Sequence, residues 1–244
     1  MLRKGRMEDG AASAARVASP GTDLQDERTV RRLRLGVGTI GLLLPPAIPL
    51  GNWLYAEARH QVVGGFWHYW PDSMSGSYYT STRNVFVGGL CALGVFLIAY
   101  RFERREDRWS SAAGVCALGV AFFPTAPAAH ASGWQLTVRG FHVAFAVSLL
   151  LVLAGFCLLP FRRRMSEGSG SGRAYWVAGW AIVGFVALSL VVSVTHLADG
   201  SRITPLYACE ALSVWAFGTA WTLAAFQLAR KGREVTPGIV AGCP

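Results

Sequence analysis

Residues 141–160 read FHVAFAVSLLLVLAGFCLLP and contain no Asp, Glu, Lys or Arg. A helix of about 20 apolar residues is long enough to cross the hydrocarbon core of a bilayer. Because lipid offers no hydrogen-bond partners, a spanning segment must satisfy its own backbone groups, which favours a helix. This stretch therefore predicts a transmembrane helix.

Five more apolar blocks of similar length occur along the 244-residue chain. Together with the first stretch they predict an all-α fold, a polytopic integral membrane protein built as a six-transmembrane-helix bundle within residues 33–230. The polar flanking segments predict a disordered basic cytoplasmic tail over residues 1–32 and a short cytoplasmic tail over residues 231–244. The approximate bounds of the other blocks are 33–55, 84–100, 111–127, 175–196 and 205–228.

The basic residues indicate how these helices cross the membrane. Of the 23 Lys and Arg residues, 19 lie on one side, either up to Arg34 at the start of the first block or after the second, fourth and sixth blocks, and four lie on the other side. Basic residues collect in cytoplasmic loops, so this distribution predicts a cell-membrane protein with both termini cytoplasmic. The four outer residues are Arg59, Arg83, Arg139 and Arg202.

The composition excludes several classes of protein. Charged residues make up 15% of the chain and hydrophobic residues 52%, whereas a soluble domain carries about 25% charged residues. The basic residues behind the formal charge of +9 lie mainly in the predicted cytoplasmic segments, which accounts for them without a nucleic acid, so no nucleic acid is expected as a partner. The five cysteines lack a C-x-x-C spacing, so neither a disulfide framework nor a zinc site is indicated. We expect membrane lipids as partners and no cofactor, and the sequence does not indicate an oligomeric state.

Ionisable residues inside a membrane are costly and mark interior pairs or functional sites. In the predicted topology these ionisable residues fall in the outer half of the membrane. Side chains three or four residues apart share one face of a helix, and Glu210, Ser213, Phe217 and Trp221 follow this spacing. The pattern predicts one outward-opening cavity with Glu210 as its deepest charge and Arg83, Arg139 or Arg202 as the counter-ion. The residues placed there are His142, His196, Glu210, Trp221, Arg83, Asn84 and Arg139.

The first outer loop is the longest connection and reads HQVVGGFWHYWPDSMSGSYYTSTRNVFVGG over residues 60–89. Long ordered loops often act as lids or binding surfaces. Ser73, Ser75, Tyr78 and Tyr79 are therefore candidate ligand contacts. The alternative is an interfacial loop held by tryptophan anchors. Before this loop, Pro45, Pro46 and Pro49 interrupt the first block and predict a kink, because each proline removes a backbone donor.

Part of this loop also resembles a known group. Residues 73–88, SMSGSYYTSTRNVFVG, and residues 210–221, EALSVWAFGTAW, resemble uncharacterised bacterial multi-pass membrane proteins with the pattern S-x-S-x-x-Y-Y-T-x-x-R-[DN]-x-F-V-G. A more distant resemblance is to the membrane hydrolase superfamily that includes alkaline ceramidases, which implies intramembrane Ser, Asp and His residues around zinc. This chain has Asn84 where relatives of the first group often carry Asp, and it has no H-x-x-x-H pair.

Two classes of function follow from these features. In the first, the outer cavity binds a lipid headgroup or small amphiphile, with Arg83 and Arg139 on an anionic group and Tyr78 and Tyr79 over the apolar part. In the second, the chain is an intramembrane enzyme acting on a lipid or prenyl substrate, with Glu210 as general acid and His142 beside it. A zinc-dependent version would use His142 and His196 with His130 or Glu210 as ligands. A buried Glu–Arg pair that only locks helices together is the structural alternative.

Overall fold

The computed structural model describes residues 20–101, 104–126, 132–161, 171–195 and 201–235. These ranges contain six α-helices and no strand, which confirms the predicted all-α fold. Short 3₁₀ turns occur at Phe66–Tyr69 and Ser75–Tyr79, and a π-helical turn at Cys157–Phe161. The helices are α1 (Pro20–Ala58), α2 (Arg83–Ala99), α3 (Arg104–Phe122), α4 (Gly133–Phe156), α5 (Ser171–Thr195) and α6 (Pro205–Val235).

Four of the described helices are long and apolar enough to cross a membrane, which fits the predicted membrane location. The other two, α2 and α3, are 17 and 19 residues long. Helix α2 is apolar but shorter than the other four, and α3 begins with the charged residues RRED. The four long segments are Arg28–Ala58, Gly133–Pro160, Gly172–Thr195 and Pro205–Arg230.

Several helix ends differ from the predicted block ends by four or more residues, and two of these differences have a local cause. Helix α1 begins at Pro20, ahead of the predicted start near residue 33, because residues 21–34 contain good helix formers that an apolar-block criterion does not register. Helix α3 ends at Phe122, short of residue 127. Pro124 follows closely, and the residue before a proline is disfavoured in the helical region.

The six helices form a closed ring. Each helix packs against its neighbour in the chain, and α6 returns to pack extensively against α1. We call the end of the ring that carries residues 59–82 the loop end and the other the closed end. Helix α1 runs from Arg34 at the closed end to Asn52 at the loop end. Each following helix runs opposite to the one before it, around a shared interior.

The α1–α6 contact closes the ring through glycines. A Cβ atom added to Gly218 of α6 would lie 3.0 Å from the backbone carbon of Gly41 and 3.1 Å from the carbonyl oxygen of Gly38. Small residues at such contacts let two helix backbones approach closely. Gly38, Gly41 and Gly218 therefore set the spacing of this contact.

Helix α1 continues through its three prolines to Ala58. In a helix, Pro46 and Pro49 leave the carbonyls of Leu42 and Pro45 without their usual N–H donors. Side chains of α6 replace these donors. The Tyr207 hydroxyl donates to the Pro45 oxygen at 2.6 Å, and the Trp215 indole N–H donates to the Leu42 oxygen at 2.9 Å. The prolines thus tie α1 to α6 without ending the helix.

Candidate ligand cavity

The ring encloses a cavity of about 840 Å³ that residues of all six helices line. A cavity of this size is typical of sites for small organic ligands. Towards the closed end its walls are aliphatic or aromatic. The apolar wall includes Ile40, Leu90, Leu93, Ala146, Leu150, Leu153, Val186 and Phe217.

The polar groups of the cavity lie at its loop end. Arg139 and His142 lie in the second and third turns of α4, and Glu210 lies in the second turn of α6. Ser189 and Ser193 occupy the last turns of α5. The cavity lining therefore changes from apolar to polar along the axis of the ring. The polar lining side chains include Asp72, Ser73, Ser75, Thr80, Arg139, His142, Ser189, Ser193 and Glu210.

Glu210 binds the backbone of the loop. The Met74 amide donates to Glu210 Oε2 at 2.6 Å, and the Ser75 amide also bonds to this carboxylate. Within the described ranges no Arg or Lys forms an ion pair with Glu210. Arg139 lines the same cavity but is exposed to solvent. Backbone amides thus occupy the place of the predicted arginine counter-ion.

The loop between α1 and α2 is fixed over the cavity at several points. Buried Asn52 donates to the Tyr69 oxygen at 3.1 Å and accepts hydrogen bonds from Ser81 and Thr82 at 2.9 and 3.0 Å. The Trp70 ring packs edge-on against Tyr207, with centroids 5.1 Å apart. Ser73, Ser75 and Tyr79 line the cavity, so this loop is an ordered cover with candidate contacts on its inner side.

Thr204 adds a further anchor at the start of α6. Its hydroxyl donates to the Asp72 oxygen at 2.5 Å and accepts from the Tyr207 amide at 3.2 Å. The Thr204 side chain thereby caps α6 and also holds the loop between α1 and α2. The same helix binds this loop a second time through Glu210.

His142, Tyr78 and Tyr79 bond to backbone oxygens at the end of α3. His142 Nδ1 lies 2.6 Å from the Phe123 oxygen, and the ring also bonds to Val120. The Tyr78 hydroxyl donates to the Ala121 oxygen and the Tyr79 hydroxyl to the Thr125 oxygen. The last four carbonyls of a helix lack intrahelical donors, and Pro124 removes the donor that would face Val120. His142 and Tyr78 therefore cap α3, and Tyr79 holds the chain three residues beyond its end.

Tyr78 has the ring contacts of a packed residue. Its ring lies edge-on to His142 with centroids 6.2 Å apart, and the Arg83 guanidinium lies 5.9 Å from its centroid. Burial raises the pKa of Tyr78 above its ordinary value, although Arg83 opposes this. The hydroxyl therefore keeps its proton and remains a donor to α3.

The other predicted site residues lie apart from the cavity or outside the described residues. Arg83 and Asn84 are exposed at the start of α2 and do not line the cavity. Trp221 lies three turns along α6 from Glu210, fully buried, with its ring 5.2 Å from Tyr100 and 5.1 Å from Phe156. His196, like His130, lies outside the described residues.

A buried polar cluster at the closed end was not expected from the sequence. Arg34, 3% exposed, lies 3.5 Å from the carboxylate of Glu106, which is 1% exposed. The Tyr100 hydroxyl bridges them, accepting from Arg34 at 2.6 Å and donating to Glu106 at 2.6 Å. Arg34 also donates to the Ala224 oxygen of α6 at 3.1 Å. The only sequence signal was Arg34 at the start of the first apolar block, which the count of basic residues assigns to the cytoplasmic side.

No group of three His, Cys, Asp or Glu side chains able to hold a metal ion occurs in the part of the chain that the structure describes. Comparison with protein-family models, with curated proteins and with solved structures finds no match to this chain. Function must therefore be inferred from the geometry of the cavity.

Proposed function

We propose that this chain is a membrane protein with six spans and both termini cytoplasmic, and that its cavity binds a lipid headgroup or small amphiphile from the outer side. The change from apolar to polar lining along the cavity carries this proposal. Amphiphiles have the same division, so an apolar chain fits beside Leu150 and Phe217 while the head lies near Ser189 and Glu210. The likeness of residues 73–88 to bacterial multi-pass membrane proteins remains part of the proposal.

Two features support six spans. The 19 to four distribution of Lys and Arg fits alternating helices whose closed end faces the cytoplasm. Helices α2 and α3, which are shorter or more charged than the others, are integral parts of the ring, and their exposed side chains include Val85, Val95, Val115 and Phe122. Such an exposed apolar surface suits contact with lipid.

Orientation is tested with single reporter cysteines in a background without the native cysteines. A cysteine at Ser13 or Ala241 should be labelled by a membrane-impermeant maleimide only after the cells are opened. A cysteine at Gly65 in the loop should be labelled in intact cells. Labelling of Ser13 in intact cells would contradict cytoplasmic termini.

Binding is favoured over catalysis by the hydrogen bonds of the candidate catalytic groups. His142 bonds to the backbone at the end of α3, and Glu210 bonds to the backbone of the loop. A general acid or base must reach the reacting group of a substrate. The backbone groups that bond to His142 and Glu210 depend on these side chains for their hydrogen bonds. The simpler role of both side chains is therefore to keep the cavity open and to fix the loop over it.

The binding role is tested with a photoreactive single-chain lipid that carries a diazirine at the middle of its chain. In nanodiscs, its crosslinking to the α4 peptide around Leu150 should be saturable. Ala146→Phe, which fills the cavity wall, should abolish most of the saturable crosslinking. Ala144→Phe makes the same change at an exposed position of α4 and serves as the control. Equal crosslinking of the two variants would exclude the cavity as the binding site.

A further inference from the structure

We infer that the cavity accepts an amphiphile with one hydrocarbon chain and a head group that bears hydroxyls and no negative charge, such as a monoacylglycerol. This inference rests on the proposed binding function and adds the class of ligand. Three observations carry it: the volume of the cavity, its length along α4, and the hydrogen-bonding groups at its loop end.

The volume limits the ligand to one chain. A cavity of about 840 Å³ lies within the roughly 300–1,000 Å³ of pockets that bury most of a drug-sized ligand. A lipid with one chain and a small head is of that size. A phospholipid with two chains is much larger, so only one of its chains fits inside.

The length suits an extended chain. Arg139 and Leu153 both line the cavity and lie on the same helix, and a rise of 1.5 Å per residue puts them about 21 Å apart along its axis. One leaflet of a bilayer has about 15 Å of hydrocarbon. A full-length acyl chain therefore fits between the polar loop end and the closed end, where Phe217 lies against Trp221.

The loop end presents several hydrogen-bond acceptors. The Glu210 carboxylate can accept further hydrogen bonds besides those from the loop backbone. The Ser193 hydroxyl donates to the Leu190 oxygen at 2.9 Å, which leaves the lone pairs of its oxygen available. A head group that donates hydrogen bonds, as hydroxyls do, complements these acceptors.

The charges at the loop end disfavour an anionic head. Two carboxylates, Asp72 and Glu210, and one guanidinium, Arg139, are among the lining residues. Arg83, the second cation expected to hold an anion, lies over the Tyr78 ring instead. The Met74 amide already donates to Glu210. An anion would therefore meet no excess of positive charge, because the lining carboxyl groups offset Arg139, and binding of an anion needs such an excess.

The experiment compares three competitors of the photoreactive lipid at equal mole fraction in nanodiscs. They are monopalmitoylglycerol, palmitoyl-lysophosphatidylglycerol and dipalmitoylglycerol. We expect monopalmitoylglycerol to compete at least about tenfold better than each of the other two, since negative charge opposes binding of the lysophospholipid and excess volume opposes binding of the two-chain lipid. Equal or better competition by the lysophospholipid would overturn the exclusion of an anionic head, and by the two-chain lipid the single chain.

A variant tests the role of the carboxylate. Glu210→Gln keeps an oxygen to accept from the Met74 amide but removes the negative charge, so the preference for monopalmitoylglycerol over the lysophospholipid should fall about tenfold. Glu57→Gln, at an exposed carboxylate that does not line the cavity, is the control and should leave the preference unchanged. An unchanged preference in folded Glu210→Gln would overturn the inference. If none of the three lipids competes with the probe in the wild-type protein, the proposed function itself fails.

Discussion

The two ends of the helix ring use the same residue types in different ways. At the closed end, Arg34 and Glu106 are buried, bridged by Tyr100 and absent from the cavity lining. At the loop end, Arg139 and Glu210 both line the cavity, and Glu210 binds backbone amides. A direct Arg–Glu pair draws α1 and α3 together, whereas a carboxylate bound to a loop leaves the ring open beneath a cover. The choice of partner therefore determines whether a buried charge closes the bundle or lines its interior.

The largest expected effect comes from breaking the pair at the closed end. Glu106→Ala leaves Arg34 buried without its carboxylate, and loss of one partner of a buried ion pair costs about 3–5 kcal/mol. SDS titration in mixed micelles measures the free energy of unfolding. Glu57→Ala, at an exposed carboxylate near the loop, should change it little.

A double variant separates the pair from the packing around it. Arg34→Met with Glu106→Leu removes both charges while keeping apolar bulk, and should destabilise less than Glu106→Ala alone. A Glu106→Ala protein as stable as Glu57→Ala would show that the cluster does not hold the closed end.

The next effect concerns the carbonyls that the prolines free in α1. Tyr207→Phe leaves the Pro45 oxygen buried without a donor, which costs up to about 3 kcal/mol. In a Pro49→Ala background the backbone N–H restored by the substitution can donate to this oxygen, so the same change should cost less. The double-mutant cycle is measured by SDS titration, with exposed Tyr55→Phe as the control. Equal costs in both backgrounds would mean that the hydroxyl does not replace a missing helix donor.

A smaller effect is expected where α1 and α6 touch. Gly218→Ala places a Cβ 3.0 Å from backbone atoms of α1, and overpacking costs about 1–3 kcal/mol. Alanine gains about 1 kcal/mol over glycine in a helix, so the net loss should be about 0–2 kcal/mol. Gly184→Ala in α5 has open space around it and should be neutral or stabilising. Equal thermal unfolding of the two variants would contradict a close contact at Gly218.

Much of the fold was predictable because each helix is encoded locally. The six apolar blocks coincide with α1 to α6, since a long apolar run specifies a helix without reference to the rest of the chain. Close contacts were less predictable, because they depend on which faces meet. Gly88 of α2 has open space around it, whereas Gly94 of the same helix packs against Gly114 of α3.

The candidate site was predictable in part. The topology put Ser73, Ser75, Arg139, His142 and Glu210 at one end, and the structure places all five around one cavity. Helical spacing gives the direction of a side chain around the helix but not its depth along it, so Trp221 was grouped with Glu210 although it lies in the closed-end core.

Partners distant in sequence or belonging to the backbone were harder to predict. The Arg34–Glu106 pair joins helices far apart in sequence. His142 and Tyr78 bond to backbone carbonyl oxygens. Because every residue has such a carbonyl, no pattern of side chains in the sequence marks these partners.

The smallest effect tests whether the polar residues of the loop end have separate roles. Tyr78→Phe removes the hydroxyl that donates to the Ala121 oxygen but keeps the ring that Arg83 covers, so it should cost about 1 kcal/mol of unfolding free energy. Tyr79→Phe makes the same change at an exposed ring that lines the cavity, and should cost less. Because Tyr78 faces α3 and not the cavity, its substitution should leave saturable lipid crosslinking unchanged. Loss of crosslinking without loss of stability would place Tyr78 among the ligand contacts, as the sequence alone predicted.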